Sequence, residues 1–244
     1  MKQVILTITE NIHLTENVMK MRLLGDVSDI TAPGQFVNIK LDGLYLRRPI
    51  SVCDMDENEL TIIYKVVGHG TEQMAEMKPG ETLDTLTGLG NGYDTTISGD
   101  RPLLLGGGVG VPPMFLLAKK LIGEGKKVSV VLGFNTKDEI FYETEFKEIG
   151  ADVTVTTSDG SYGVKGFVTN AMGDDYTHIY TCGPEPMLKA VYKASKTSGQ
   201  FSFEERMGCG FGACMGCSCK TITGYKRICK DGPVMKKEEI LWEN

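Results

Sequence analysis

Apolar and polar residues alternate over Gln3–Thr9, Val18–Leu24, Phe36–Leu41 and Leu60–Val67, the period of a strand with one face in a core. Turn residues at Pro33-Gly34, Asp42-Gly43 and Glu57-Asn58 separate these runs, and Gly70–Met77 reads as one short helix before Pro79-Gly80. Residues 1–98 therefore predict a small antiparallel β-barrel. After Gly99-Asp100 the period changes. Pro102–Leu105 is an apolar strand, Val111, Met114, Phe115, Ala118, Leu121 and Ile122 recur at helical spacing, and Lys127–Leu132 returns to strand. Helices near Asp138–Ile149, Val164–Met172 and Pro184–Ser198 alternate with strands at Val153–Thr157 and His178–Cys182. That rhythm predicts a doubly wound α/β domain with a parallel sheet over 99–199. Residues 200–244 form a third, cysteine-rich segment, too short to hold a core of its own without a metal.

At 244 residues with 41% apolar content, the chain is long enough for two modest cores. A formal charge of −6 argues against a nucleic-acid partner. No uninterrupted apolar run approaches the length of a membrane span, so a cytoplasmic protein with no membrane contact is expected. His13, His69 and His178 are too scattered to suggest a local metal site, and none is assigned a role. No constellation for oxidising an organic substrate is apparent, so no residue is assigned as catalytic.

The strongest chemical signal lies near the C-terminus, where Cys209, Cys214, Cys217 and Cys229 follow the spacing C-x4-C-x2-C-x11-C. This is the ligand order of a plant-type [2Fe–2S] cluster, and glycines at 208, 210, 212 and 216 let the loop wrap an inorganic core with its N–H groups facing sulfur. An odd total of seven cysteines, and an N-terminus without a basic stretch and apolar signal core, argue against disulfides. Structural zinc is the alternative, although zinc ribbons usually offer two C-x2-C knuckles. Cys219 leaves the ligand choice open, because on a strand it would point the same way as Cys217.

Five further motifs suit nucleotides. Gly106–Pro113 joins a strand to a helix, with Gly107, Gly108 and Gly110 placed to let a pyrophosphate approach helix N–H groups; a tight structural turn is the simpler alternative. The G-x-G-x-x-G fingerprint is not met, and neither an acidic residue nor an arginine stands right at the end of the second strand, Gly133-Phe134-Asn135-Thr136, so the choice between NAD and NADP stays open with a lean to NAD. Cys182, Gly183 and Pro184 form a second strand-to-helix turn on the same sheet edge, although Cys182 alone also reads as a buried, inert thiol. In the barrel half, Arg47-Arg48-Pro49-Ile50-Ser51 combines a planar cationic fork with a small hydroxyl, as a pyrophosphate requires, or is a solvated strand end. Ile63-Tyr64-Lys65 and Gly70-Thr71 add an aromatic face, backbone groups and a hydroxyl, with Tyr64 alone reading equally as a core aromatic.

Taken in order, these pieces resemble the ferredoxin–NADP reductase-like flavoproteins, with Arg48-Pro49-Ile50-Ser51 matching their R-x-x-S flavin motif. Within them, the chain is similar over its whole length to the electron-transfer subunits of class 1B dihydroorotate dehydrogenases, most specifically in Met207–Cys217 and the C-x-D-G-P ending at Cys229–Pro233. The resemblance implies FAD on Arg48, Pro49, Ile50, Ser51, Ile63, Tyr64, Lys65, Gly70 and Thr71, NAD in the α/β domain, and Cys209, Cys214, Cys217 and Cys229 as cluster ligands, with Cys219 left out. It also implies a partner, an FMN-containing dihydroorotate dehydrogenase catalytic subunit in a two-plus-two heterotetramer of pyrimidine biosynthesis. Nicotinamide exchanges a hydride pair and the cluster single electrons, so a flavin between them makes the chain a self-consistent relay. Relay subunits of a sulfite reductase, a hydrogenase or a ferredoxin–NADP reductase share this organisation, and a zinc-stabilised binding module is the non-enzymatic alternative.

Overall fold

The structure, a computed structural model, describes residues 1–242; Glu243 and Asn244, the end of the cysteine-rich segment, lie outside the described residues. Six antiparallel strands, β1 (Lys2–His13), β2 (Val18–Leu24), β3 (Phe36–Ile39), β4 (Arg48–Met55), β5 (Glu59–Lys65) and β6 (Thr82–Leu89), close into a barrel of order β1-β2-β5-β4-β3-β6. The alternation read from the sequence fills it: Leu6, Ile8, Met21, Leu23, Val37, Ile39, Leu60 and Ile62 are all buried inside. Helix α1 (His69–Glu76) closes one end.

The α/β domain adds β7 (Pro102–Gly107), α2 (Pro112–Gly123), β8 (Ser129–Phe134), α3 (Glu143–Glu148), β9 (Asp152–Thr157), β10 (Val164–Lys165), β11 (His178–Cys182), α4 (Glu185–Ala194) and β12 (Gly199–Ser202). Its sheet runs β10-β9-β8-β7-β11-β12, with every neighbouring pair parallel. The order reverses at β7, which puts the crevice for a ligand beyond the carboxyl ends of β7 and β11.

Two expected helices are not formed as read. Residues 138–149 split into a 3₁₀ turn at Lys137–Glu139 and the short α3, because Tyr142 between them adopts a left-handed φ of 67°. Residues 164–172 give β10 and a 3₁₀ turn at Val168–Ala171, since Gly166 takes φ 120°, outside the helical region.

The C-terminal segment contributes β13 (Ser218–Thr221), β14 (Gly224–Arg227), α5 (Ile228–Asp231) and β15 (Val234–Lys236). Strand β15 pairs antiparallel with β12 and becomes the seventh strand of the sheet. Phe201, Ile228, Met235 and Ile240 share one apolar cluster with Leu105 and Ile179, so this segment is anchored in the α/β core and not by its metal chemistry alone. The link between barrel and sheet is also ordered from within. Buried Gln200 receives the Asp94 N–H on Oε1 at 2.9 Å and donates Nε2 to the Asp94 carbonyl at 2.8 Å, while Tyr180 donates to the same oxygen at 2.8 Å. Replacing Gln200 with leucine strands the Asp94 N–H, and a loss of about 1–3 kcal/mol of unfolding free energy is expected in a denaturant titration.

Candidate functional site

On the barrel, β3 and β4 pair in the register Phe36↔Ser51, Val37↔Ile50, Asn38↔Pro49 and Ile39↔Arg48. Residues opposite one another project to the same side. Val37 and Ile39 face the barrel core, so Phe36, Asn38, Pro49 and Ser51 share the outer face. Arg48 lies over the first turn of α1, close enough that a Cβ on Gly70 would fall 2.1 Å from its Nε. The structure thus brings Arg48 and Gly70 together. Thr71 is engaged locally: its Oγ1 accepts from the Val67 N–H at 2.9 Å and donates to the Gly68 carbonyl at 3.0 Å. The Tyr64 ring is 2% exposed, with its hydroxyl on Asn11 Oδ1 at 3.2 Å. It belongs to the barrel core, and burial raises its pKa, which leaves the main chain of Ile63–Lys65 and the exposed Lys65 side chain as what β5 presents.

At the sheet edge, Gly106 of β7 stands beside Cys182 of β11, so the two glycine turns meet. The contact is main chain on main chain: a Cβ on Gly110 would lie 2.3 Å from the Cys182 carbonyl oxygen. Gly107 lies against Met187 and Pro184, while Gly108 stands clear of neighbouring side chains. The Cys182 thiol is pushed up to about 12 by burial, so it is a neutral wall and not a nucleophile. Pro112 and Pro113 carry no N–H, and the Met114 N–H is bonded to the Val111 carbonyl at 3.0 Å. The helix N-terminus expected to hold phosphate therefore has few donors, and the glycine turn itself supplies the approach. An acidic group missed in the sequence does reach the end of β8. The 3₁₀ turn folds Glu139 back so that Oε2 accepts from the Asn135 N–H at 3.1 Å and from Asn135 Nδ2 at 2.9 Å. Reading only the strand's last residues hid it, because the carboxylate arrives from four residues further on.

Among the described residues, no three His, Cys, Asp or Glu side chains are grouped to hold a lone metal ion. Cys209 lies beside Cys214, and Cys229 beside Cys217 with Cys209 also near. A two-iron core takes four cysteine ligands, two on each iron. Backbone N–H groups point at sulfur: Ala213 and Cys214 donate to Cys209 Sγ at 3.2 and 3.4 Å, Gly216 to Cys214 Sγ at 3.4 Å, and Cys229 to Cys217 Sγ at 3.4 Å. Burial raises the Cys209 pKa, but N–H donors from Cys214, Phe211 and Ala213 outweigh it and bring the thiol to about 6, a ready thiolate ligand. Cys229 is raised to about 12, first by burial and then by the neighbouring Cys217 thiol. The four donors thus fit an iron–sulfur core.

The loop is held from outside. Asn91 donates Nδ2 to the Val234 carbonyl at 2.7 Å, accepts the Val234 N–H at 3.1 Å, and gives its own N–H to the Gly232 carbonyl at 2.8 Å, clamping the turn after Cys229 to the barrel. Arg227 bonds Asp231 through Nε at 3.0 Å and the Gly212 carbonyl through Nη1 at 2.9 Å. Cys219 takes another direction: it lines a cavity of about 390 Å³ with Phe203, Glu205 and Trp242.

Residues 204–241 match the iron-sulfur cluster binding domain of dihydroorotate dehydrogenase B, and residues 104–193 an oxidoreductase NAD-binding domain. The dihydroorotate dehydrogenase B (NAD(+)) electron transfer subunit of Geobacillus sp. strain WCH70 is 44% identical, over 99% of both chains. That of Fusobacterium nucleatum is 45% identical over 96% of both. The chain belongs to the family of dihydroorotate dehydrogenase B electron transfer subunits. A solved NADH-dependent reduced ferredoxin-NADP oxidoreductase, described for flavin-based electron bifurcation, is 32% identical with a TM-score of 0.89, covering 99% of this chain and 91% of that one. An Amycolatopsis cytochrome P450 reductase, at 20% identity and TM-score 0.69 over 79% and 65% of the two chains, shares the fold. Family members are NAD-linked electron-transfer subunits, and the cofactors are an iron–sulfur cluster, FAD and NAD. The name also implies a separate catalytic subunit. No helix among the described residues is long and apolar enough to cross a membrane. With Cys219 turned to the cavity, Cys219→Ser is expected to retain the cluster's visible absorbance and EPR signal, whereas Cys229→Ser is expected to lose both.

Proposed function

We propose that this chain takes electrons from the FMN of a dihydroorotate-oxidising catalytic subunit, by way of its cluster and FAD, to NAD⁺, in the cytoplasm and as part of pyrimidine synthesis. The observation that carries the reading is the outer face of β3 and β4, where Pro49 and Ser51 of the flavin motif lie beside Asn38, which contacts the cluster loop at Cys209. When bound, FAD supplies the exchange between a hydride pair and single electrons. The protein's own residues place and insulate the sites. Arg48, whose fork suits a pyrophosphate, and Ser51 hold FAD together with Pro49, Ile50, Gly70, Thr71 and the main chain of Ile63–Lys65. Gly107, Gly108 and Gly110 admit the NAD pyrophosphate, and Cys182, Gly183 and Pro184 form the floor beside the reacting ring. Cys209, Cys214, Cys217 and Cys229 hold the cluster.

Glu139, held at the end of β8 by Asn135, supplies the carboxylate that accepts from a ribose diol and repels a 2′-phosphate. Exposed Phe211 (43%) and Met215 (54%) flank the cluster loop and form the docking surface for the catalytic subunit, in a two-plus-two assembly. The second reading, a subunit of a ferredoxin–NADP-type oxidoreductase, draws on the solved structure at TM-score 0.89.

Reconstitution separates the two. The chain mixed with an FMN-containing catalytic subunit is expected to form NADH from dihydroorotate and NAD⁺ in a stable two-plus-two complex; failure of that coupling, with ferredoxin-dependent turnover instead, selects the second reading. In the same assay Glu139→Gln is expected to raise NADP⁺ use relative to NAD⁺ roughly tenfold or more in kcat/KM, the effect of removing one nearby like charge.

A further inference from the structure

Asn38 sits where the flavin strand pair meets the cluster loop. It is 1% exposed on β3, directly opposite Pro49 of the R-x-x-S motif. From the outer face its Nδ2 donates to the Cys209 carbonyl oxygen at 3.3 Å. The approach is close: a Cβ on Gly210, at φ +79°, would fall 2.3 Å from Nδ2. Chemistry sets the orientation of the amide, since turning it round would place Oδ1 against a carbonyl, acceptor against acceptor.

Oδ1 is then buried with no hydrogen-bond partner among the described residues. Buried amide oxygens are rarely left without a donor. The nearest protein groups do not supply one. Pro49 has no N–H, and Arg47 donates Nη1 to the main-chain oxygen of Asn38, at 3.3 Å, and not to its side chain. Pro49 and Ser51, which share that face, are themselves half-exposed.

We propose that Asn38 is a positioning residue joining the two cofactor sites, its Nδ2 holding the carbonyl of the first cluster ligand while its Oδ1 accepts a hydrogen bond from an N–H or O–H group of bound FAD. The inference rests on the flavin-site reading above. A single rigid amide then fixes the cluster loop relative to the flavin, and a shift on either side is felt at the other.

The test uses the full chain, with FAD dissociation followed by flavin fluorescence and the reduced cluster by EPR. Asn38→Leu, similar in size, removes donor and acceptor together. FAD is expected to bind about three- to tenfold more weakly, the loss of one hydrogen bond, and the cluster g-values to move. Asn38→Asp keeps an acceptor and removes the donor, so the EPR signal is expected to move while FAD affinity stays near that of the unaltered chain. If Asn38→Leu does not fold, that split in Asn38→Asp decides, and equal change or no change in both readouts overturns the proposal. Unchanged FAD affinity and EPR in Asn38→Leu overturn it directly. Arg48→Ala is the reference: if it leaves FAD affinity unchanged, the flavin-site reading fails; if it weakens FAD while Asn38→Leu does not, only the role of Asn38 fails.

Discussion

The antiparallel pairing of β3 with β4 is the constraint on which the rest depends. Because a strand presents alternate residues to opposite faces, one short pairing serves two purposes. Val37 and Ile39 complete the barrel core on the inside. Phe36, Asn38, Pro49 and Ser51 are carried to the outside, where the flavin motif and the cluster loop meet. A slip of one residue would exchange the faces and remove both the core and the site. Strand register therefore sets how the R-x-x-S segment lies against the cysteine loop.

At the other end of the molecule the same economy is reached through missing side chains. Gly110 allows the first glycine turn to lie directly on the Cys182 carbonyl, so that two carboxyl-end turns make one floor. Burial pushes the Cys182 thiol up, and two prolines remove N–H donors from the start of α2. At the end of β8, Glu139 is held by Asn135.

The cysteine-rich segment is less independent than its length suggests. Strand β15 completes the α/β sheet, Asn91 fastens the turn after Cys229 to the barrel, and Arg227 ties the loop to that turn. The protein thus holds the four sulfurs in place from two domains. Low-pKa Cys209 and high-pKa Cys229 show how uneven their environments are, one open to backbone donors and the other buried against a second thiol.

Much of this was legible in the residues themselves. Alternation predicted the barrel, helical spacing and strand runs predicted the doubly wound sheet, and cysteine spacing predicted a two-iron cluster, because each depends on a local period or a fixed ligand order. The failures were equally physical. Residues 138–149 and 164–172 have helix-like apolar positions, but Tyr142 and Gly166 adopt backbone angles that no pattern of hydrophobicity reports. Tyr64 belongs to the core because it follows Leu60 and Ile62 on the inward face of β5. Asn38 and Glu139 lie in none of the motifs, and Asn91 has no role that its glycine-rich stretch announces. Their importance comes from groups 171, 143 and 4 residues away. The chain alone determined which cofactor chemistries it contains; only the tertiary structure decided which side chains join them, since those contacts are made by register and docking rather than by spacing.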